Sequence, residues 1–311
     1  MKRILYIFAV LMLTGCSQDE RLEYNPELEL LFQPSMYMQI SHDDVESFGP
    51  EMDFAVRAWA LPRNASWSKF WASATEFMPT SVASCNSTTS NGKGEQGRLW
   101  GLNPTVLWPD VDTTLTIIGY SPADAGCICD TQKGVTHTMD VKTDQTDLLY
   151  TRLCRDREKN RDGGIVPLIF EHALCRIDLR AVHCVSADEK ITVKKITIDS
   201  VRHKGTFSSL AKPQWELEKS YTDFTLFEGS ERLLGSISKP IGGYILLPPQ
   251  VLETTITVEY EYTNAQQSTI PQRLSTVALE TKLMAGRKYT FTLAVGADEV
   301  KFLQEILNEE Q

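Results

Sequence analysis

Residues 173–181 read Ala-Leu-Cys-Arg-Ile-Asp-Leu-Arg-Ala (ALCRIDLRA), and their alternation decides the fold. Ala173, Cys175, Ile177, Leu179 and Ala181 fall on one face, while Arg176, Asp178 and Arg180 fall on the other. Successive side chains of a strand point to opposite sides, so this stretch predicts a strand with one dry and one wet face. The same signature recurs downstream. Ile256, Val258, Tyr260 and Tyr262 alternate with Thr257, Glu259 and Glu261, and Tyr289, Phe291, Leu293 and Val295 alternate with Thr290, Thr292 and Ala294. Strands wet on one side belong to antiparallel sheets packed face to face. Between Ile191/Val193 and Ile196/Ile198 the apolar phase slips by one residue at Lys194-Lys195, which predicts a β-bulge.

Working outward, the first half carries similar runs at 52–61 and 113–120. The Ser/Thr/Asn/Gly-rich stretch from Ser81 to Gly97 offers little to bury and predicts a mobile loop. The hydrophilic stretch Arg152 to Gly164 predicts a long exposed loop or a junction, which puts a domain boundary near 165. The expected organisation is an N-terminal β-sandwich at 28–165 and a C-terminal β-sandwich at 166–311. Near the end, Val300, Leu303 and Ile306 lie at helical spacing and predict a short amphipathic helix within 298–311.

The other end of the chain carries an address. Residues 1–16 read MKRILYIFAVLMLTGC, with Lys2 and Arg3 before an apolar run from Ile4 to Leu13. That run is too short to span a bilayer, which takes about 20 residues, and reads as a signal peptide over 1–15. Leu13-Thr14-Gly15-Cys16 resembles a lipobox, so cleavage is expected between Gly15 and Cys16, with lipid attached to Cys16. Residues 16–27 then form a polar tether. Ser17-Gln18-Asp19-Glu20 resembles the acidic tract of surface-exported lipoproteins of Bacteroidota, although short acidic spacers also occur simply as solvated chain. The expected location is the outer membrane, lipid-anchored and exposed at the cell surface.

Removing fifteen residues from 311 leaves 296, enough for two domains with a core in each. Loss of Lys2 and Arg3 takes the formal charge from −10 to −12. An acidic chain without a Lys/Arg-rich run argues against nucleic acid and against a polybasic hold on anionic lipid. Six cysteines remain besides Cys16, at 85, 127, 129, 154, 175 and 184. They allow fifteen pairings and nothing in their spacing selects one; buried or partly oxidised structural cysteines are expected.

No residue stands out for chemistry. The histidines at 42, 137, 172, 183 and 203 show no zinc spacing, and no nucleophile elbow or phosphate-binding glycine loop is present. No cofactor, metal site or catalytic residue is expected. An enzyme reading would require folding to bring two carboxylates, or a histidine and a carboxylate, together in a deep pocket. Five of the six tryptophans, at 59, 67, 71, 100 and 108, fall in the first half. They are expected in the core; the alternative, exposed rings stacked on sugars, would make this a surface glycan-binding lipoprotein. Asp112-Thr113-Thr114 and Asp199-Ser200-Val201 resemble the acceptor tripeptide of Bacteroidota O-glycosylation and mark Thr113 and Ser200 as candidate sites.

Several short motifs occur in a telling order. Leu107-Trp108-Pro109 precedes Leu115 to Pro122 (LTIIGYSP), and Asp147-Leu148-Leu149-Tyr150 precedes Val166 to Ile177 (VPLIFEHALCRI). Gly205-Thr206-Phe207 with Trp215, Leu247-Pro248-Pro249-Gln250 and Ala285 to Thr290 (AGRKYT) follow. In this ordering the chain resembles the fimbrillin-like, or minor-fimbrium-like, lipoprotein family of Bacteroidota. The resemblance implies an all-β fold of two tandem antiparallel sandwiches with transthyretin-like, Greek-key topology, and an adhesive or fimbrium-building role. It implies other fimbrial subunits as partners, joined by β-strand addition.

In polymerising members an Arg-specific protease removes the first strand, and the next subunit supplies a strand to the open groove. Here the first strand is expected at Leu30 to Ile40, and Ser41 to Met52 contains no arginine. The first candidate cleavage sites are Arg57, inside the next strand, and Arg63, at the following turn. The polar ending from Phe302 onward also differs from a donor strand. Both departures disfavour a stalk subunit and favour an anchor or accessory subunit, a cap or a non-polymerising surface relative; no enzymatic role is expected.

Overall fold

A computed structural model describes residues 28–37, 48–90, 96–210, 212–235 and 237–303. The signal peptide, Cys16 and the tether lie outside the described residues. The described chain's regular structure is almost entirely strand, with only short helical segments. Its first half contributes β1 (Leu31–Met36), β2 (Phe54–Pro62), β3 (Thr75–Ser90), β4 (Gln96–Leu102) and β5 (Thr113–Ser121). There follow β6 (Ile128–Asp130), β7 (Gly134–Asp140), β8 (Leu149–Thr151), β9 (Cys154–Arg157) and β10 (Ile165–His172). Eight of these form one sheet in the order β2-β3-β4-β1-β10-β8-β5-β9, and β2 also pairs with β5, so the sheet closes on itself. Closure removes the unpaired edges that an open sheet must protect.

The closed sheet surrounds one apolar cluster that includes Phe32, Phe54, Trp100, Leu115, Ile117 and Phe170. A second cluster lies on its other side, with Trp59, Trp67, Ile118, Tyr120 and Tyr150. β5 therefore has Leu115 and Ile117 in one core and Ile118 and Tyr120 in the other. This is why LTIIGYS reads as a continuous apolar run rather than an alternating one.

The second half contributes β11 (Cys175–His183), β12 (Lys190–Arg202), β13 (Lys204–Ser208), β14 (Gln214–Leu217), β15 (Tyr221–Leu233) and β16 (Lys239–Pro240). It ends with β17 (Ile245–Leu247), β18 (Val251–Thr263), β19 (Thr269–Lys282), β20 (Lys288–Val295) and β21 (Val300–Leu303). The sheet β16-β11-β20-β21, with β17 beside β11, faces the sheet β15-β12-β18-β19. Ile177 and Leu179 of β11, Ile196 and Ile198 of β12, Val258 of β18 and Leu293 of β20 fill the space between them. The register shift between Val193 and Lys195, seen against both β15 and β18, is the bulge expected at the lysine pair.

A third sheet joins the halves. Its order is β14-β13-β7-β6, so two strands come from each half. β7 and β13 pair over five residues, from Lys204↔Asp140 to Ser208↔Thr136. Phe207 and Trp215 sit directly opposite each other on β13 and β14, and the Phe207 ring also meets Tyr150, 4.8 Å away between centroids. Gly134 opens β7 with φ +71°, and a Cβ there would stand 3.0 Å from the backbone nitrogen of Leu210 and closer still to Ser209 Oγ. Only glycine accommodates both demands.

Four expectations change. Thr75–Ser90 and Gln96–Leu102 are paired strands reaching Ser90↔Gln96, not a loop from 81 to 97. The Ser/Thr composition misleads because threonine is β-branched and suits a pleated surface. Val300–Leu303 is a strand, because Val300 and Phe302 point inward at period two and Phe302 packs on Phe291, at 5.8 Å. Residues 304–311 of the expected helix lie outside the described residues. The stretch from Arg152 holds β9 and a short helix, α1 (Lys159–Asp162), with Lys159 buried. The motif 166–177 divides between two sheets, β10 in the closed sheet and β11 in the second sandwich.

Two pairings are parallel rather than antiparallel: β1 with β10 over six residues and β11 with β20 over eight. In each half the opening strand lies beside one of the last, and the intervening chain serves as the long connection that parallel neighbours need.

Ile177 is fully buried, whereas Arg176 lies on the wet face, bonded to Asp178 through both Nε and Nη2 at 2.9 Å and lying over the Tyr244 ring. Ile177→Asp should cost about 3–5 kcal/mol, because it leaves a buried charge unpaired. Arg176→Asp should cost about 1 kcal/mol, as for a surface ion pair. Denaturant midpoints of the two variants give the comparison, and the reverse order would refute the register.

Candidate functional site

The first strand and its slot form the most distinctive arrangement. β1 lies between β10, with six aligned pairs, and β4, with one pair, Phe32↔Trp100. Leu31 N–H donates to Gly164 O at 3.0 Å, and Tyr37 N–H to Phe170 O at 2.7 Å. Amides of alternate residues point the same way along a strand, so the odd-numbered amides of β1 face β10. Pro34 therefore faces β4, where its missing N–H removes a bond and limits pairing on that side. β1 is held firmly on one side and loosely on the other.

Side chains fill the slot more fully than backbone does. Phe32 meets Phe54 edge to face at 5.9 Å. Phe48 meets Phe54 and Trp100, each at 5.6 Å, and Phe170 at 4.8 Å. Trp100 Nε1 donates to Met52 O at 2.9 Å and Trp108 Nε1 to Gly164 O at 3.0 Å, so both indoles are buried without an orphaned donor. Leu28 and Leu30 are tied by backbone bonds to Trp108 and Val106. Losing Phe32 would open a cavity between β4 and β10.

The two arginines differ in access. Arg57 is central in β2, which pairs with β3 on one side and β5 on the other. Its guanidinium donates to Cys129 O at 2.7 Å and to Glu76 at 2.5 Å, and it lies 5.3 Å from the centre of the Trp59 ring. Arg63 is exposed in the turn after β2 and pairs with Glu158 at 2.9 Å. Thr113 is half-buried at the start of β5, and Ser200 is exposed in β12 with φ +52°. Asp199, beside Ser200, accepts from Thr255 Oγ1 at 2.7 Å and Thr257 Oγ1 at 2.6 Å.

Folding does bring histidines to carboxylates, which the sequence could not show. His203 Nδ1 lies 2.7 Å from Asp140 Oδ1 and its Nε2 lies 2.9 Å from Ser220 Oγ. Partial burial opposes ionisation of Asp140, but the His203 bond and the Lys142 amide outweigh it and hold the carboxyl below its usual range. His172 Nδ1 lies 2.7 Å from Asp147 Oδ2. Both pairs sit where the halves meet. A cavity of about 240 Å³ opens nearby, lined by Pro122, Asp124, His137, Met139, Asp144 and Leu148. Burial pushes the His137 pKa down there, against the opposing pull of Asp144. Neither His203 nor Ser220 lines this cavity, so the Asp–His–Ser chain ties β7 to the corner between β12 and β13 rather than facing a substrate space. Among the described residues, no three side chains gather as metal ligands.

Four of the five first-half tryptophans, 59, 67, 100 and 108, are buried as core fillers. Trp71 alone of them is exposed, beside exposed Phe70 in the short helical segment between β2 and β3, and Trp215 is half-buried. The six described cysteines are unpaired. Burial pushes Cys127, Cys129 and Cys175 up to about 12, and Cys184 is exposed. Because the thiolate is the reactive form, Cys184 should be alkylated first in the folded protein. Cys127, Cys129 and Cys175 should label only after denaturation, and mass mapping of a labelling time course would check this order.

A protein-family profile described as fimbrillin-like matches residues 67–308. A curated relative, the fimbrium subunit Fim1C of Phocaeicola vulgatus, is 24% identical over 225 residues, covering 64% of this chain. The match spans 56% of that relative's length. Among solved structures, a fimbrial protein from Bacteroides vulgatus superposes with a TM-score of 0.65 at 16% identity, covering 88% of this chain and 98% of its own. A cell-adhesion candidate from Bacteroides uniformis superposes with a TM-score of 0.54 at 14% identity, covering 89% and 97%. The closed sheet and the sandwich joined to it are thus a fold that other proteins share.

Proposed function

Because this chain belongs to the fimbrillin-like family, we propose that it serves fimbriae as a structural or adhesive protein that keeps its first strand. The family match across 67–308 supports the structural or adhesive role. Its partners are other fimbrial subunits, met through sheet edges and loops rather than an active site. Cys16 carries the lipid that holds it on the outer membrane, with the protein facing outward. An acyl chain on Cys16 would supply that attachment by burying its methylenes in the bilayer. Thr113 and Ser200 remain proposed glycan acceptors; the exposed position of Ser200 on β12 suits decoration better than the half-buried Thr113.

Retention of β1 follows from where the arginines lie. A protease needs an extended, unpaired segment, and Arg57 would have to leave two neighbouring strands, the Cys129 carbonyl and the Glu76 and Trp59 side chains. Arg63 is accessible, but a cut there lies after both β1 and β2. β2 pairs with β5 from Ala55↔Tyr120 to Pro62↔Thr113, so the nicked piece stays bound instead of vacating the slot. A subunit whose slot stays filled accepts no strand there and ends a polymer at the membrane. This is the role of an anchor or accessory subunit.

Three measurements test the reading. N-terminal sequencing of surface material should return a chain beginning at Cys16 with β1 present, and electron microscopy of the purified protein should show no long homopolymers. Cys16→Ala should release the protein from the membrane fraction or leave the precursor uncleaved. Cleavage at Arg57 or Arg63 accompanied by filaments would overturn the anchor reading, and unchanged maturation of Cys16→Ala would overturn the lipid assignment.

A further inference from the structure

The two parallel ladders share a relation to the ends of the chain. The chain comes into the first half at the Leu31 end of β1 and leaves it at the His172 end of β10. With β1 and β10 parallel, these points lie at opposite ends of one six-pair ladder, from Leu31↔Ile165 to Met36↔Phe170. The second half repeats the arrangement. The chain comes in at Cys175 of β11 and leaves β20 at Val295, across eight pairs from Arg176↔Lys288 to His183↔Val295. Bonds from Arg176 N–H to Arg287 O and from Cys184 N–H to Val295 O, each 3.0 Å, bracket that ladder.

We infer that these ladders are shear clamps, which hold both halves folded when the molecule is stretched between its ends. Tension drawn through the chain slides β1 along β10, and β11 along β20, so the bonds of each ladder must fail together. Each backbone bond contributes little on its own, so strength under load comes from sharing rather than from any single bond. Were the first and last strands antiparallel, the two loaded points would lie at the same end and the bonds would open in succession. The prolines are placed to spare the clamp. Pro34 faces β4, and the adjacent β10 residue Pro167 aligns with Gln33, whose amide faces β10.

β21 supplies an internal contrast. It runs antiparallel to β20, pairing from Val295↔Val300 to Thr292↔Leu303, so tension at its far end opens four pairs one after another. The order of failure under end-to-end load is therefore β21 first, then the six-pair ladder, then the eight-pair ladder. A protein held at one end on a cell surface and gripped elsewhere by a partner meets load of this kind.

Single-molecule force spectroscopy on the full chain tests this directly. With handles at the two ends, one low-force event should precede two high-force events at a fixed loading rate. Moving the second handle to exposed Asn160, just before β10, loads the six-pair ladder from one end, and its break force should fall several-fold. Forced unfolding reports the loaded barrier rather than equilibrium stability, so the comparison isolates geometry. Ser35→Pro removes an amide that faces β10 and should weaken only the six-pair event. If that variant's first half fails to fold, the handle comparison on the unsubstituted chain still decides. Equal break forces in the two pulling geometries would overturn the inference.

Discussion

The parallel pairing of β1 with β10 is the contact on which the first half depends. Without it β4 and β10 would each present a bare edge, and the ring cluster of Phe48, Phe54, Trp100 and Phe170 would lose Phe32 as its fifth member. One short strand thus completes both the hydrogen bonding of the sheet and the filling of its core. The contribution is large because it is double: burying an aromatic side chain and pairing two edges act at the same place. Pro34 limits attachment on one side only, so the strand belongs energetically to β10.

The shared sheet gives the molecule its second property. β7 and β13 meet as though they were one unit, with Gly134 allowing close approach and the Tyr150, Phe207 and Trp215 rings packed in succession across the seam. The Trp215 indole donates to Ala173 O at 2.8 Å, at the point where the chain passes from one half to the other. His203 adds Asp140 and Ser220 to the same seam. Such a joint holds the two halves in one orientation, which suits a protein that works by presenting surfaces. An Asp–His–Ser chain that would suggest hydrolysis in a cleft here serves as a polar tie.

Much of this was legible from side-chain alternation. Cys175, Ile177 and Leu179 against Arg176 and Asp178 fix one strand, and the slip at Lys194-Lys195 locates the bulge, because both signals are local. The tryptophans were legible as core for the same reason of size and apolarity. The partners of β1 were not, since periodicity says which face is buried and nothing about which strand lies beside it. The stretch from Ser81 to Gly97 reads as loop by composition, yet its strands pair from Ala83↔Leu102 to Ser90↔Gln96. Val300–Leu303 is too short for helical and strand periods to be told apart. The meeting of Asp140, His203 and Ser220 brings together three residues distant in the chain, which only the fold could reveal.

The same β1–β10 ladder bears on how the molecule comes to be folded. A chain that emerges from its N-terminus first presents Leu30 and Phe32 long before their partners exist, since Ile165 follows Leu31 by roughly 130 residues. Pairings so distant in sequence form slowly, and unpaired strands with apolar faces are what aggregates while they wait. The last strand of the first half therefore acts as a checkpoint in biogenesis. Until β10 arrives, the opening strand has no stable place, and truncation before β10 would leave β1 and β8 each with an unpaired edge. Folding of the first half is completed from its far end, and the apolar face of its opening strand stays uncovered until then.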